Sequence, residues 1–411
     1  MQYGCIGEKL GHSFSKEIHG KIADYEYELK ELKREDVASF ITGRDYKALN
    51  VTIPYKEVVI PHLDEIDEAA KKIGAVNTIV NKNGRLYGYN TDFYGMMALL
   101  SYIGVALENK KVLILGTGGT SRTAYALAEH LKAREIIKVS RSEKDGAVSY
   151  EAAYRNHYDA EVIINTTPSG MYPNSEDAPI SLDTFTKLEG VIDAIYNPLR
   201  SNLVSEALRR GIKASGGLYM LVAQAVLASE YFLDTKYPES LLNEVYKDIL
   251  SEKENIVLVG MPGAGKTTIG KILAENLGKT FMDSDDEIKK SGKTPDEIIK
   301  SRGEAAFRDI EAETIKNLSD KNGLVIATGG GAVLREENIK RLKRNGKIVF
   351  LDRDLSDILP TPDRPLSQNR ELLKKRYDER YPIYTSVSDI KAKIGNDANE
   401  NAENIIKMLR G

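Results

Sequence analysis

Seven short apolar runs rich in Val and Ile punctuate the chain: KVLILG, EIIKVS, EVIINTT, GVIDAIY, NIVLVG, LVIATGG and KIVFLD. Between them lie stretches whose apolar residues return every three or four positions. Runs of this length bounded by turn residues predict strands buried on both faces, and the stretches between them predict helical crossovers. The pattern is that of βαβ units, an α/β fold with parallel sheets. Two of the strands run straight into glycine: KVLIL leads to GTGG at 116–119, and NIVLV to GMPGAGKT at 260–267, each followed by a helical pattern.

A glycine turn at a helix N-terminus lets backbone amides approach a phosphate, and the helix dipole favours its charge. In the first turn Gly116, Gly118 and Gly119 would do this for a dinucleotide, although so short a pattern also serves as a plain strand-to-helix turn. The next strand, EIIKVS, delivers Ser140, Arg141 and Ser142 to the place where an NAD enzyme presents an acid to the ribose hydroxyl. A guanidinium flanked by hydroxyls suits a 2′-phosphate instead, so NADP(H) is the expected cofactor. The second turn fits G-x-x-x-x-G-K-[ST] with Gly260, Gly265, Lys266 and Thr267 in register. Its amides would cradle the β-phosphate of ATP, Lys266 would reach the β- and γ-phosphates, and Thr267 would give a hydroxyl to Mg²⁺.

At 411 residues the chain has room for two such sites. Its 58 Lys plus Arg nearly balance 61 Asp plus Glu, so no bulk field points to nucleic acid or an anionic membrane, and small molecules are the expected partners. Cys5 is the only cysteine, which fits a reducing compartment. MQYGCIGEKLGHS lacks the basic-then-apolar order of a signal peptide, and the expected location is cytoplasmic. Oligomeric state, a homo-oligomer included, stays open. The polar stretch DILSEKEN at 248–255 predicts a boundary, with a first region at 1–250, a linker at about 251–255 and a second region at 256–411.

Four polar islands precede the first glycine turn: GHSFS at 11–15, LNVTIPYK at 49–56, GAVNT at 74–78 and GYNTD at 88–92. Singly, such residues cap or turn the backbone. Together they offer hydroxyls, amides, a lysine and a carboxylate, a set suited to a polyhydroxylated acid beside a hydride acceptor. With INTTPSGM at 164–171, DAIYNPLRSNLVSEALRRG at 193–211 and GGLYMLVAQA at 216–225, their order resembles shikimate dehydrogenase across residues 1–250. That resemblance implies a substrate part at about 1–100 and 216–250 and a Rossmann-like NADP-binding part at about 101–215. It implies that Ser13 and Ser15 bind the substrate carboxylate with Tyr196 nearby. Asn50, Thr52, Asn77, Asn90 and Gln224 would hold ring hydroxyls, Gly217 would lie at the cofactor, and Lys56 and Asp92 would form the catalytic pair. Lys16 and Gly20 stand where the family usually has Pro and Asn, Ser140 replaces an Asn, and Thr117 an Ala.

Downstream of the phosphate loop come FMDSDDEI at 281–288, RGEAAFRDIE at 302–311, ATGGGAV at 327–333, DRPL at 363–366 and RYPIY at 380–384. An anionic alcohol needs arginines for its carboxylate and an acid near its hydroxyl, and this set provides both. In this order the motifs resemble shikimate kinase over 256–411, a P-loop domain with a parallel sheet. The resemblance implies that Asp285, Arg308, Gly330, Gly331 and Arg380 bind shikimate, with Asp285 beside the attacking hydroxyl. Asp283 would act near Mg²⁺, Gly263 and Thr268 would join the loop's nucleotide contacts, and Arg364 would belong to a lid over ATP. The lid segment is poor in arginine, and Ser367 stands where Leu is common. The joint expectation is reduction of 3-dehydroshikimate with NADPH, then phosphorylation of shikimate with ATP, in aromatic amino acid (chorismate) biosynthesis. The alternatives are a quinate or quinate/shikimate dehydrogenase joined to a kinase for another alcohol, or one half retained as a silent regulatory module. Intact Lys56, Asp92, Lys266 and Asp285 weigh against the latter.

Overall fold

The computed structural model describes residues 1–11, 13–143, 146–290, 292–358 and 370–410. It divides into two compact units, Met1–Leu250 and Ser251–Gly411.

The first unit holds two sheets. Strands β1 (Tyr3–Gly7), β2 (Tyr27–Glu31), β3 (Ala48–Val51), β4 (Glu65–Ile66), β5 (Thr78–Lys82) and β6 (Arg85–Tyr89) form one in the order β2-β1-β3-β5-β6-β4. Pairing is parallel among β1, β2 and β3 but antiparallel where β5 meets β3 and β6, so this sheet is mixed rather than parallel throughout. The cause is local: NKNGR closes β5 and β6 as a hairpin with Asn83 and Gly84 both at positive φ. Strands β7 (Lys111–Leu115), β8 (Glu135–Val139), β9 (Val162–Asn165), β10 (Gly190–Asp193) and β11 (Lys213–Ser215) form the second, wholly parallel sheet in the order β11-β10-β9-β7-β8. Val112 and Ile114 enter one core cluster, Leu113 and Leu115 another, which is why KVLIL is apolar at every position after its lysine.

Two helices carry site residues across this unit. Thr91–Ile103 begins at Asn90, whose side chain accepts from the Phe93 amide at 3.2 Å and caps it. Leu218–Leu233 packs with it through Met96, Leu99, Tyr219 and Met220.

In the second unit β12 (Asn255–Val259), β13 (Thr280–Asp283), β14 (Leu324–Ala327), β15 (Gly346–Asp352) and β16 (Ile390–Lys393) make one parallel sheet in the order β13-β14-β12-β15-β16. Val257 and Val259 face one cluster, Ile256 and Leu258 the other. The helical run Pro295–Ser319 opens on a Thr294–Glu297 capping box and is broken at Gly303, whose φ of 85° is not helical; the turn after the break carries Arg308.

The expected linker is not a separate segment. Helix Ser240–Lys253 runs through residue 251 to its own end, and β12 starts at Asn255. The polarity of SEKEN comes from helix termination: Lys279 donates to the carbonyls of Ser251, Glu252 and Glu254 at 2.7, 2.9 and 2.9 Å, and the Lys253 carbonyl accepts from the Gly323 amide at 2.9 Å. Asn255 ties the strand start to the Lys321 carbonyl and the Leu324 amide. Lys279→Met, which keeps the stem but removes three donors, should lower the stability of the second unit by ~1–3 kcal/mol. An unchanged urea midpoint for that unit would show that water satisfies these carbonyls equally well. Among the described residues no helix is long and apolar enough to cross a membrane.

Candidate active sites

In the first unit Lys56 follows β3 on a loop anchored by buried Tyr55, whose hydroxyl donates to the Leu32 carbonyl at 2.6 Å; the Lys56 carbonyl accepts from the Val76 amide at 2.8 Å. Asp92 lies in the first turn of helix Thr91–Ile103. Lys56 Nζ stands 2.5 Å from Asp92 Oδ2, and the two side chains are 12% and 9% exposed, so the pair is shielded from bulk water. The Lys56 stem lies 3.6 Å from where a side chain on Gly119 would begin. The ion pair therefore borders the helix start that follows the first glycine turn.

The amides around this pair orient one another. Asn77 Oδ1 accepts from the Thr91 amide at 2.7 Å, its Nδ2 donates to Thr91 Oγ1 at 3.1 Å, and Thr91 Oγ1 donates to Gln224 Oε1 at 3.2 Å. Asn50 accepts from Tyr27 Oη at 2.7 Å and donates to the Asn77 carbonyl and to Thr78 Oγ1. Asn90 caps its helix and donates to the Ala75 carbonyl at 2.9 Å. Both ends of the Asn50, Asn77, Asn90 and Gln224 amides bond to protein, which fixes the direction each one faces. Thr52 is half-buried at the end of β3, against Gly7 of β1.

Ser13 donates to Ser15 Oγ at 3.0 Å, and Phe14 packs on Tyr196 with ring centroids 5.1 Å apart. Burial pushes the Tyr196 phenol up to about 12, with a bond to Ser13 opposing, so it keeps its proton and stays a donor. Two hydroxyls and a phenol are a neutral donor set for a carboxylate.

Tyr27, Thr78, Thr91 and His19 were not singled out in the sequence. His19 is fully buried, stacked on Tyr27 at 3.9 Å, and burial pushes its pKa down to about 3, so it is neutral. Thr91 lies inside GYNTD and was within reach of the motif reading. Tyr27 sits in the polar run YELKE, where only the sheet order reveals it.

On the cofactor side, Gly116 has φ 108° and its α-carbon backs onto Thr166, Gly118 precedes helix Gly119–His130, and Gly217 starts helix Leu218–Leu233 tight against the Ala194 carbonyl. Ser140, Arg141 and Ser142 follow β8, the last two exposed. The open backbone at Gly118, where an added side chain would meet nothing within 4 Å, fits a pyrophosphate resting there.

In the second unit Lys266 and Thr267 open helix Lys266–Leu277 directly after Gly265; Gly263 and Thr268 are exposed beside them. Lys266 Nζ donates to the Gly260 and Met261 carbonyls at 2.8 and 3.0 Å, folded along its own loop. Thr267 Oγ1 donates to Asp283 Oδ2 at 2.9 Å, and Asp283 Oδ1 caps the next helix through the Asp285 amide at 3.0 Å. A hydroxyl and a carboxylate side by side at a phosphate loop fit Mg²⁺ that takes its other ligands from nucleotide and water.

The glycine run 329–331 brings the remaining groups together. A side chain on Gly329 would lie 2.8 Å from Glu311 Oε1 and 3.0 Å from Asp285 Oδ1, and one on Gly331 would overlap the Arg308 guanidinium. Arg308 donates to Glu311 Oε2 at 2.7 Å and to Glu304 Oε1 at 3.0 Å. Burial pushes the Glu311 carboxyl up and Arg308 opposes it. Arg380 is buried, and its neighbour Tyr384 donates to the Gly330 carbonyl at 2.5 Å. Glu304, Glu311 and Gly329 lay within quoted motifs without being picked out; the acid three residues after Arg308 was the available signal. Arg364 lies outside the described residues.

Residues 5–79 match the family model described as the shikimate dehydrogenase substrate binding domain, and residues 262–410 match that of shikimate kinase. Among curated proteins, a shikimate dehydrogenase (NADP(+)) of Clostridium perfringens is 38% identical over 264 residues, 60% of this chain and 97% of its own. Among solved structures, shikimate dehydrogenase 1 from Peptoclostridium difficile is 34% identical with a TM-score of 0.57, covering 61% of this chain and 98% of that one. A chorismate mutase/shikimate 5-dehydrogenase fusion protein from Clostridium acetobutylicum is 35% identical, also with a TM-score of 0.57, covering 60% of this chain and 96% of that one. This chain belongs to the shikimate dehydrogenase family and carries a shikimate kinase domain behind the dehydrogenase.

Proposed function

We propose that the chain catalyses two successive steps of aromatic amino acid biosynthesis: reduction of 3-dehydroshikimate to shikimate with NADPH, then phosphorylation of the 3-hydroxyl with ATP. The observation that carries the reading is the 2.5 Å Lys56–Asp92 pair beside the Gly119 helix start, in a chain that also holds Thr267, Asp283 and Asp285 around a phosphate loop. Bound NADPH supplies the hydride. Lys56 and Asp92, acting as a coupled unit, deliver the proton to the ketone oxygen as it becomes a hydroxyl. Asn50, Thr52, Asn77, Asn90 and Gln224 hold the ring hydroxyls, Thr91 ties Asn77 to Gln224, and Ser13, Ser15 and Tyr196 take the carboxylate.

In the kinase, bound ATP with Mg²⁺ supplies the phosphoryl group. Lys266 leaves its own loop carbonyls for the phosphates, while Thr267 and Asp283 hold the ion. Arg308 and Arg380 hold the shikimate carboxylate, and Asp285 takes the proton of the attacking 3-hydroxyl. A cytoplasmic enzyme is our reading, supported by a single buried cysteine.

The test is joint measurement of NADPH oxidation and ADP release with 3-dehydroshikimate and ATP present. Both signals should appear with the intact chain. A clear preference for quinate, or for NAD over NADP, would overturn the dehydrogenase assignment. Arg141→Ala should raise the KM for NADP by ~10–100-fold and leave that for NAD nearly unchanged, since the guanidinium pairs only with the 2′-phosphate. Equal losses for the two cofactors would remove Arg141 from the site.

A further inference from the structure

Two of the quoted segments, INTTPSGM and DAIYNPLRSNL, give only Tyr196 to the reading above, yet a buried network joins them. Asn165 ends β9 and Asp193 ends β10, side by side in register, and both are fully buried. Asp193 Oδ1 accepts from Asn165 Nδ2 at 2.9 Å and from the Ile195 amide at 3.0 Å; Oδ2 accepts from the Ser201 hydroxyl at 2.6 Å. Three donors converge on one carboxylate. Because the Asn165 amide nitrogen is turned to Asp193, its oxygen faces the next turn, where it accepts from the Thr167 amide at 3.0 Å and the Thr167 hydroxyl at 2.7 Å.

That turn touches the cofactor side. Thr166 Oγ1 donates to the Leu115 carbonyl at 2.6 Å, at the end of β7, and lies 2.8 Å from where a side chain on Gly116 would begin. An ionised carboxylate only accepts, so it leaves Asn165 a single satisfied orientation. Burial pushes the Asp193 carboxyl up to about 6, and at neutral pH it is still the anion this arrangement requires. Being fully buried, neither Asp193 nor Asn165 reaches a ligand.

We propose that Asp193 and Asn165 are positioning residues for the dehydrogenase: they hold the Thr166–Thr167 turn, and through it the Gly116 turn, in the shape that receives the dinucleotide. The inference rests on the dehydrogenase reading. Asn165→Ala leaves Asp193 its bonds to Ile195 and Ser201 while removing both bonds to Thr167. Thr167→Val is milder: it removes the hydroxyl bond to Asn165 and the long 3.4 Å bond from the Ser169 amide, and keeps the Thr167 amide bond to Asn165.

Both variants are assayed in the full chain by NADPH oxidation with 3-dehydroshikimate, alongside thermal unfolding. Asn165→Ala should raise the KM for NADPH by ~10-fold and Thr167→Val by ~3-fold, with the KM for 3-dehydroshikimate unchanged. A lowered unfolding midpoint with an unchanged NADPH KM would mean the network serves stability alone and would overturn the proposal. If Asn165→Ala does not fold, an unchanged NADPH KM in Thr167→Val overturns it equally. An unsubstituted chain that oxidises no NADPH would defeat the dehydrogenase reading itself, an outcome distinct from active variants with unaltered KM.

Discussion

Lys56→Met should lower dehydrogenase kcat by ~10²–10⁴-fold, the range for loss of a general acid or base, and leave phosphorylation of added shikimate intact. Methionine keeps the stem that lies 3.6 Å from the Gly119 position, so loss of the ammonium is isolated from loss of packing. It also strands Asp92, whose side chain is only 9% exposed, without its partner at 2.5 Å. Removing one member of a buried pair is itself destabilising, by up to ~3–5 kcal/mol where burial is complete. Unfolding must therefore be measured alongside the kinetics. The double variant Lys56→Met, Asp92→Asn removes that complication, because no lone buried charge remains. If the two residues move one proton between them, the double variant is about as slow as the slower single variant, since a unit can be broken only once. Losses that multiply would separate the roles, and a dehydrogenase that survives Lys56→Met would move the proton elsewhere.

The positions legible in the sequence are those where one residue type has one physical job. Short Val- and Ile-rich runs bounded by turn residues suit strands, and all seven are strands in the structure: β7, β8, β9, β10, β12, β14 and β15, with β8 half-buried at a sheet edge. The phosphate loop and Thr267–Asp283 were legible for the same reason, and the pair stands at 2.9 Å. What escaped was set by tertiary contacts. β2, YELKE, is a polar edge strand, and nothing in its pattern shows that Tyr27 turns inward to bond Asn50 at 2.7 Å. β11, β13 and β16 lie at sheet edges with most residues half-buried or exposed, so they carry no continuous apolar run. SEKEN reads as a linker because exposed polar residues look alike whether they join units or end a helix; the three Lys279 bonds that distinguish the cases come from a residue 25 or more positions away. The bonds that orient Asn50, Asn77, Asn90 and Gln224 are likewise absent from the sequence pattern, because an amide in a polar island carries no label saying which partner it faces.

Asp285→Asn should cut kinase kcat by ~10²–10⁴-fold with the KM for ATP nearly unchanged and dehydrogenase activity untouched. The amide keeps the shape and the backbone bond from Asp285 N to Asp283 Oδ1, so the Thr267–Asp283 arrangement survives the change. In the proposed role, what is lost is the capacity to accept the 3-hydroxyl proton. A second acid stands close enough to compete for that role, since Glu311 Oε1 and Asp285 Oδ1 approach the same point on Gly329. Glu311, however, is fully buried, is raised in pKa by that burial, and gives its other oxygen to Arg308 at 2.7 Å. Its position suits holding the guanidinium for the substrate carboxylate. Glu311→Gln should therefore raise the KM for shikimate by ~10-fold, through one weakened charge-assisted bond, and change kcat little. The two variants thus predict opposite splits between kcat and KM. A kcat collapse in Glu311→Gln with near-normal turnover in Asp285→Asn would exchange the roles of the two acids, placing proton acceptance on the buried carboxyl beside Arg308.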